Sequence, residues 1–269
     1  MGKRIGFIGG GIMASAIVAG LVERMGYAPE DIFVSDLMEE RCAFLRDTYK
    51  INASVGAEGF LSDVDVLFLA VKPQAAEKAM RETAARLPEE TVVVSIVAGL
   101  TIASLEAFFT AQPVVRVMPN TPLSVGAGMS AYALNAKAET ADVEIVEKIL
   151  SACGRSVKVQ ESMMDAVTGL SGSGPAYGFL MIDAMSDGGV MAGLPRQTAT
   201  MLAAQTLLGA AMMVLETGKH PCALRDQVTS PAGTTIAGVR VMEAQGVRGA
   251  MIDAVLAATE RSRELGRTK

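Results

Sequence analysis

The sequence predicts an α/β protein in two parts: a mostly parallel sheet flanked by helices over residues 1–161, and an all-helical part over residues 162–269. Three observations carry this. Short β-branched runs alternate with helical patterns through the first part, no convincing strand follows Met163, and a glycine-rich turn joins the first strand to the first helix. At 269 residues the chain holds one large domain or two moderate ones, and either buries a sizeable core.

Taken in order, the run RIGFIG opens the chain as a strand and a helical pattern follows to Met25. IFVSD reads as a second strand, with a helix through Leu45; DVLFLAV reads as another, with a helix after Pro73; TVVVSIVAG closes the series. Strand, helix, strand repeated in this way means parallel pairing with helices on the sheet faces. PVVRVMP and GMSAYAL, then a helix from Ala138 to Ala152 and a strand at RSVKVQ, extend the sheet. Near Glu161 the pattern changes. Gly, Pro and Ser-Pro now punctuate helical stretches such as PRQTATMLAAQTLLGAAMMVLETG and GVRGAMIDAVLAATERSREL.

Composition narrows the function classes. Half the residues are hydrophobic, a fifth are charged, Trp is absent and Met reaches 17, so the core is aliphatic with thioethers filling gaps. A formal charge of −5 with scattered Lys and Arg offers no field for a phosphate backbone, which argues against nucleic acid as a partner. Cys42, Cys153 and Cys222 show no metal-ligand spacing, and no signal peptide precedes the first strand, so a reducing cytoplasm is the expected location. The uncharged windows Ala166 to Ile182 and Gln197 to Leu215 carry Gly, Ser, Thr, Gln and Pro, and read as buried helices rather than membrane spans. Helices apolar nearly all round need cover on every side, which points to a subunit interface; a core helix within one chain is the alternative.

The turn after the first strand is Gly9-Gly10-Gly11-Ile12-Met13-Ala14, a G-x-G-x-x-A string that opens a helix at once. In a Rossmann-type unit Gly9 permits the tight turn, Gly11 lets the backbone approach a pyrophosphate, and Ala14 lets the helix pack on the strand. The helix N-terminus then faces the phosphates. The second strand ends at Ser35-Asp36, about 20 residues beyond, where an acid holds the adenosine ribose hydroxyls. That placement favours NAD; Ser35 and Arg41 would serve a 2′-phosphate if Asp36 turned away, and Asp36 as a helix cap is the bland reading. Two later strand ends, Ala70-Val71-Lys72-Pro73 and Val97-Ala98-Gly99, fall at the same carboxyl edge. Lys72 there either meets ribose or phosphate oxygens or is a solvated lysine at a helix start. Asn120, in Met118-Pro119-Asn120-Thr121-Pro122, either contacts the nicotinamide side or shapes the turn.

The chemistry the chain lacks is as informative. Its single histidine, His220, sits in a Lys-His-Pro-Cys turn and reads as a surface residue; no G-x-S-x-G elbow and no H-E-x-x-H appears, and no metal site is expected. A nicotinamide reductase of this kind must act where little acid catalysis is needed. A C=N bond fits, because an imine takes up its proton before hydride attack, whereas a ketone needs a donor during it.

At this point the residues resemble a known family. Gly169-Leu170-Ser171-Gly172-Ser173-Gly174-Pro175-Ala176-Tyr177, Asp187-Gly188-Gly189, Gly193-Leu194-Pro195-Arg196 and Leu224 to Thr235 are similar to Δ1-pyrroline-5-carboxylate reductases, as are Leu69 to Gln74 and Arg116 to Pro122. The resemblance runs through essentially the whole chain in one order. It implies NADPH- or NADH-dependent reduction of pyrroline-5-carboxylate to L-proline, the last step of proline biosynthesis, with some lean towards NADPH. It also implies a Rossmann domain followed by a helical dimerisation domain, a homodimer through the C-terminal helices, and often a decamer of five dimers, with no membrane. Carried over residue by residue, the cofactor set is Gly9, Gly10, Gly11, Ile12, Met13, Ala14, Ser35 or Asp36, Ala70, Val71, Lys72, Pro73 and Ala98. The substrate set is Ser230, Gly233, Thr234 and Thr235 with Glu161 nearby, and Thr235, whose hydroxyl would hold the ring-nitrogen proton, is the catalytic candidate. Ala57 departs from the family, many of whose members carry a cofactor-touching asparagine there.

Two other readings compete. A β-hydroxyacid reductase would use a lysine on an early helix of the second domain, yet no lysine follows Ser171 until Lys219. A nucleotide-binding paralogue without catalysis would keep the glycine turn but have no reason to keep Ser230 and Thr235 together. The stretch TSPAGTTIAG, residues 229–238, admits two helix starts: Ser230 as N-cap with Pro231 at the first helical position, or a start at Thr234.

Overall fold

A computed structural model describes residues 2–267 and resolves the chain into two compact units. One runs to Gly172 and takes back the chain from Ala258; the other is Ser173–Ala257.

The first unit is built on eight strands: β1 (Ile5–Ile8), β2 (Ile32–Asp36), β3 (Asn52–Val55), β4 (Val66–Leu69), β5 (Val92–Ser95), β6 (Val114–Met118), β7 (Gly128–Leu134) and β8 (Gly154–Lys158). Their order is β3-β2-β1-β4-β5-β6-β7-β8. Pairing is parallel from β3 to β6, β7 runs antiparallel to β6, and β8 is parallel to β7. The sequence expectation of a mostly parallel sheet is met. Between strands lie α1 (Ile12–Ala19), α2 (Glu39–Tyr49), α3 (Ala76–Ala84), α4 (Ile102–Glu106) and α5 (Thr140–Ser151). The helical path predicted to Met25 is α1 continued by a π-helical turn over Gly20–Arg24.

Why the central strands read as unbroken apolar runs follows from their two faces. In β4, Val66 and Phe68 join one core with Ile17 of α1, Leu45 of α2 and Ile149 of α5; Leu67 and Leu69 join another with Met80 of α3 and Leu105 of α4. Side chains alternate across a strand, so covering both sheet faces requires an apolar residue at every position. β3 escaped prediction because its burial is that of an edge, with only Ala53 of its four residues buried. The chain order reverses at β1, which lies between β2 and β4, and the carboxyl ends of β2, β1, β4 and β5 line one edge.

After the short α6 (Met164–Val167), a π-helical turn over Thr168–Gly172 ends this stretch of the unit. The second unit consists of α7 (Gly174–Met191), α8 (Arg196–Thr217), α9 (Pro221–Gln227), α10 (Thr234–Ala244) and the first half of α11 (Val247–Arg267), which passes into the first unit at Ala258. No strand occurs in it among the described residues. α7 and α8 pack on each other as a hairpin through the Gly193-Leu194-Pro195 turn. The alternative of core helices within one chain is not what is found: α7 buries only Ser186, and α8 only Ala199 and Ala203. Phe179 is 65% exposed, Leu180 70% and Met201 65%. α8 is also the one described helix long and apolar enough to cross a membrane.

Candidate functional site

The β1–α1 turn shows a separate reason for each small residue. Gly9 has φ +97°, and a Cβ there would sit 2.7 Å from the Ala70 carbonyl oxygen, so only glycine fits. Its N–H donates to Ser35 O at 2.7 Å, while Ala70 N–H donates to Ile8 O at 2.8 Å, tying the ends of β2, β1 and β4 together. Gly10 abuts Leu45 and Val34. Gly11 differs from both: a Cβ would meet nothing within 4 Å, and this residue is the N-cap of α1 with no side chain closing the helix end. Ala14 is buried and Ile12 faces out. Open space before uncapped helical N–H groups fits a nucleotide pyrophosphate, which supplies the missing acceptors.

At the end of β2, Asp36 reaches across 26 residues of sequence: its Oδ2 accepts the Gly10 N–H at 2.8 Å, and its Oδ1 accepts the Met38 N–H at 3.0 Å. Arg41, one turn into α2, donates from Nε to Gly10 O at 2.5 Å and from Nη2 to Ser15 Oγ. The alternative in which Asp36 turns away is therefore not the arrangement found. Ser35 is 8% exposed. Beyond β4, Lys72 is exposed at the start of a 3-10 turn over Pro73–Ala75, with Val71 half-buried, and beyond β5 Ala98 is exposed. The structure thus gathers Gly9 to Ala14, Ser35, Asp36, Ala70 to Pro73 and Ala98 along one sheet edge.

Two other candidates turn out to be engaged within the first unit. Asn120 donates to Ser171 O at 3.0 Å and accepts the Met129 N–H at 2.8 Å, so its amide shapes the turn after β6. The Glu161 carboxylate accepts the Ile102 N–H at 2.6 Å and the Arg116 Nη1 at 2.9 Å. Arg116 is 14% exposed by side chain, and a cation that far from water needs its partner. Sequence reading named Glu161 without Arg116; the available signal was a lone arginine inside the apolar strand VVRVM.

Ser230, Gly233, Thr234 and Thr235 lie together in the second unit. Gly233 N–H donates to Ser230 O at 3.1 Å, closing a turn with Pro231 second and Ala232, at φ +54°, third. That is the pattern of a type II turn, with alanine where glycine is usual. The left-handed residue breaks the helical path, so α10 begins at Thr234 with Gly233 as N-cap, not at Pro231. No side chain caps α10. Ser230 and Thr234 are exposed and Thr235 is half-buried. His220 caps α9, its Nδ1 accepting the Cys222 N–H at 3.2 Å, as a turn residue would.

Comparison with known proteins places this arrangement. Residues 161–265 match the family model "pyrroline-5-carboxylate reductase dimerisation", and residues 4–99 match "NADP oxidoreductase coenzyme F420-dependent". A pyrroline-5-carboxylate reductase from Synechocystis is 47% identical over 267 residues, covering 99% of this chain and 100% of its own. Among solved structures, the pyrroline-5-carboxylate reductase of Coxiella burnetii superposes with a TM-score of 0.92 at 36% identity, over 98% of both chains. A pyrroline carboxylate reductase from Plasmodium falciparum, solved with NADP bound, reaches 0.86 at 31% identity, again over 98% of both. With a glycine turn fit for a dinucleotide in one unit, the Ser230–Thr235 turn in the other, and relatives matched end to end, the chain belongs to the pyrroline-5-carboxylate reductase family.

Proposed function

We propose that this chain reduces the ring C=N bond of Δ1-pyrroline-5-carboxylate to L-proline at the expense of NADPH or NADH, as the last step of proline biosynthesis. The observation that carries the reading is the uncapped start of α10 behind the Ser230–Gly233 turn, in a chain matched over its full length by reductases of that name. The bound nicotinamide supplies the hydride. The chain's own part is to orient the imine and hold its charges. Free N–H groups of the first turn of α10, at Thr234 and Thr235, receive the substrate carboxylate without a cation, since a helix N-terminus carries partial positive charge. The Ser230 hydroxyl adds a polar contact. Thr235 keeps its hydroxyl by the ring nitrogen, which is already protonated when hydride reaches the adjacent carbon, so no stronger acid is required. Glu161, held by Arg116, contributes through the loop it anchors.

The reading extends to assembly and place. The exposed apolar faces of α7 and α8 support a homodimer through the C-terminal helices, and the same cover makes α8 an interface rather than a membrane span. Five such dimers in a decamer, in the cytoplasm, complete the proposal; light scattering and cell fractionation test both. For the reaction, the test is NADPH and NADH oxidation with pyrroline-5-carboxylate, with proline identified as product. Thr235→Ala should lower kcat/KM by about 10–100-fold, the loss of one hydrogen bond to a charged group. Absence of turnover with either nucleotide in the wild type would remove the assignment, and an unaffected Thr235→Ala would remove Thr235 from it.

A further inference from the structure

We propose that this chain selects NADH over NADPH, with Asp36 as the specificity-determining residue and Arg41 as an anchor of the glycine turn rather than a phosphate ligand. The inference rests on the reductase reading only in taking the β1–α1 turn as the nucleotide site.

The Asp36 carboxylate is fixed where it stands. Gly10 N–H and Met38 N–H each hold one of its oxygens, so rotating it away breaks two main-chain hydrogen bonds at once. Each oxygen keeps a second lone pair, which suits the donating hydroxyls of an unsubstituted ribose. A 2′-phosphate offers charge of the same sign to the same two oxygens and has no proton to give them.

A phosphate there would need a cation brought to it, and each basic residue of α2 and its C-cap is held in place by an acceptor of the protein. The Arg41 guanidinium is held by Gly10 O and Ser15 Oγ and lies 4.7 Å from the centre of the Phe44 ring. Arg46 donates to Ala53 O at 2.6 Å and pairs with Glu39. Lys50, the C-cap residue, bonds Asp47 O. The two residues after Asp36 are Leu37, 85% exposed, and Met38, 59% exposed, which offer an apolar surface and no charge. Ser35, the remaining hydroxyl, is nearly buried. Lys72 stands at the end of β4, on the far side of β1 from β2. Asp36 and Arg41 meet at Gly10, the first on its N–H and the second on its carbonyl, and together they hold the turn in place.

Equilibrium titration of the full-length protein with NADH and with NADPH, without substrate, tests this by nucleotide fluorescence. Wild type should bind NADH more tightly by about tenfold or more, equivalent to about 1.4 kcal/mol. Asp36→Asn keeps an oxygen for Gly10 N–H and removes the charge, so the NADH-to-NADPH affinity ratio should fall by about tenfold. Arg41→Met should weaken both nucleotides by a common factor and leave that ratio unchanged. Equal or tighter NADPH binding by wild type overturns the proposal, as does an unaltered ratio in Asp36→Asn or a selective loss of NADPH in Arg41→Met. If Asp36→Asn does not fold, as judged by circular dichroism, the wild-type ratio and Arg41→Met decide. NADH preference without pyrroline-5-carboxylate turnover would sink the proposed reaction alone; turnover with NADPH preference would sink this inference alone.

Discussion

Gly9 and Gly11 are both glycines of one turn, and the structure requires that they fail differently when a methyl group is added. At Gly11 the backbone is at φ −67° and ψ −174°, open to any residue, and a Cβ meets nothing within 4 Å. Gly11→Ala should therefore leave stability within about 1 kcal/mol, the small gain from a stiffer unfolded chain being offset by alanine's weakness as an N-cap. The methyl would instead stand where a pyrophosphate must approach uncapped N–H groups. Losing one charged hydrogen bond costs about 1.5–3 kcal/mol, or about 10–150-fold in affinity. At Gly9 the methyl falls 2.7 Å from Ala70 O and 2.9 Å from its carbonyl carbon, on a backbone at φ +97°. Strain of about 1–3 kcal/mol and displacement of the β4 end of similar size make Gly9→Ala a folding variant. Thermal unfolding and nucleotide titration, run on both variants, separate the two effects; about 2–4 °C accompanies each kcal/mol in a chain of this size. A Gly11→Ala protein that bound nucleotide as wild type does would refute the reading of this turn as the pyrophosphate site.

Two further outcomes are expected. Glu161→Gln keeps an acceptor for the Ile102 N–H but leaves the largely buried Arg116 without its charge partner, and should cost about 1–3 kcal/mol in urea unfolding. Tyr132 is buried, and its hydroxyl donates to Glu147; burial first, then that carboxylate, pushes its pKa from 10.0 up to about 12. The folded protein holds this proton more tightly than the unfolded chain, so its contribution is complete below pH 10.0 and is lost as pH rises towards about 12. Tyr132→Phe should flatten the fall in stability across that window, measured by urea unfolding at stepped pH; an equally steep fall would contradict the assignment.

Local pattern carried much of what this chain is. A strand buried on both faces must be apolar at every position, which made β4 and β5 legible; a tight βα turn must be small, which made Gly9, Gly11 and Ala14 legible; and the run of hydroxyls, glycine and proline over residues 229–235 marked a turn leading into a helix. The edge strand β3 was illegible because half its surroundings are water. The grip of Asp36 on Gly10 and of Arg116 on Glu161 joins residues 26 and 45 positions apart, and only the sheet order brings them within hydrogen-bond reach. The start of α10 was ambiguous for another reason: Pro231 is as well suited to the second place of a tight turn as to the first turn of a helix, and the left-handed φ of Ala232 decided between them. Periodicity and residue size, which act between neighbours, were thus determined by sequence alone; charge pairing, the direction of the Asp36 carboxylate and the return of α11 to the first unit depend on contacts across the fold, and tertiary structure decided them.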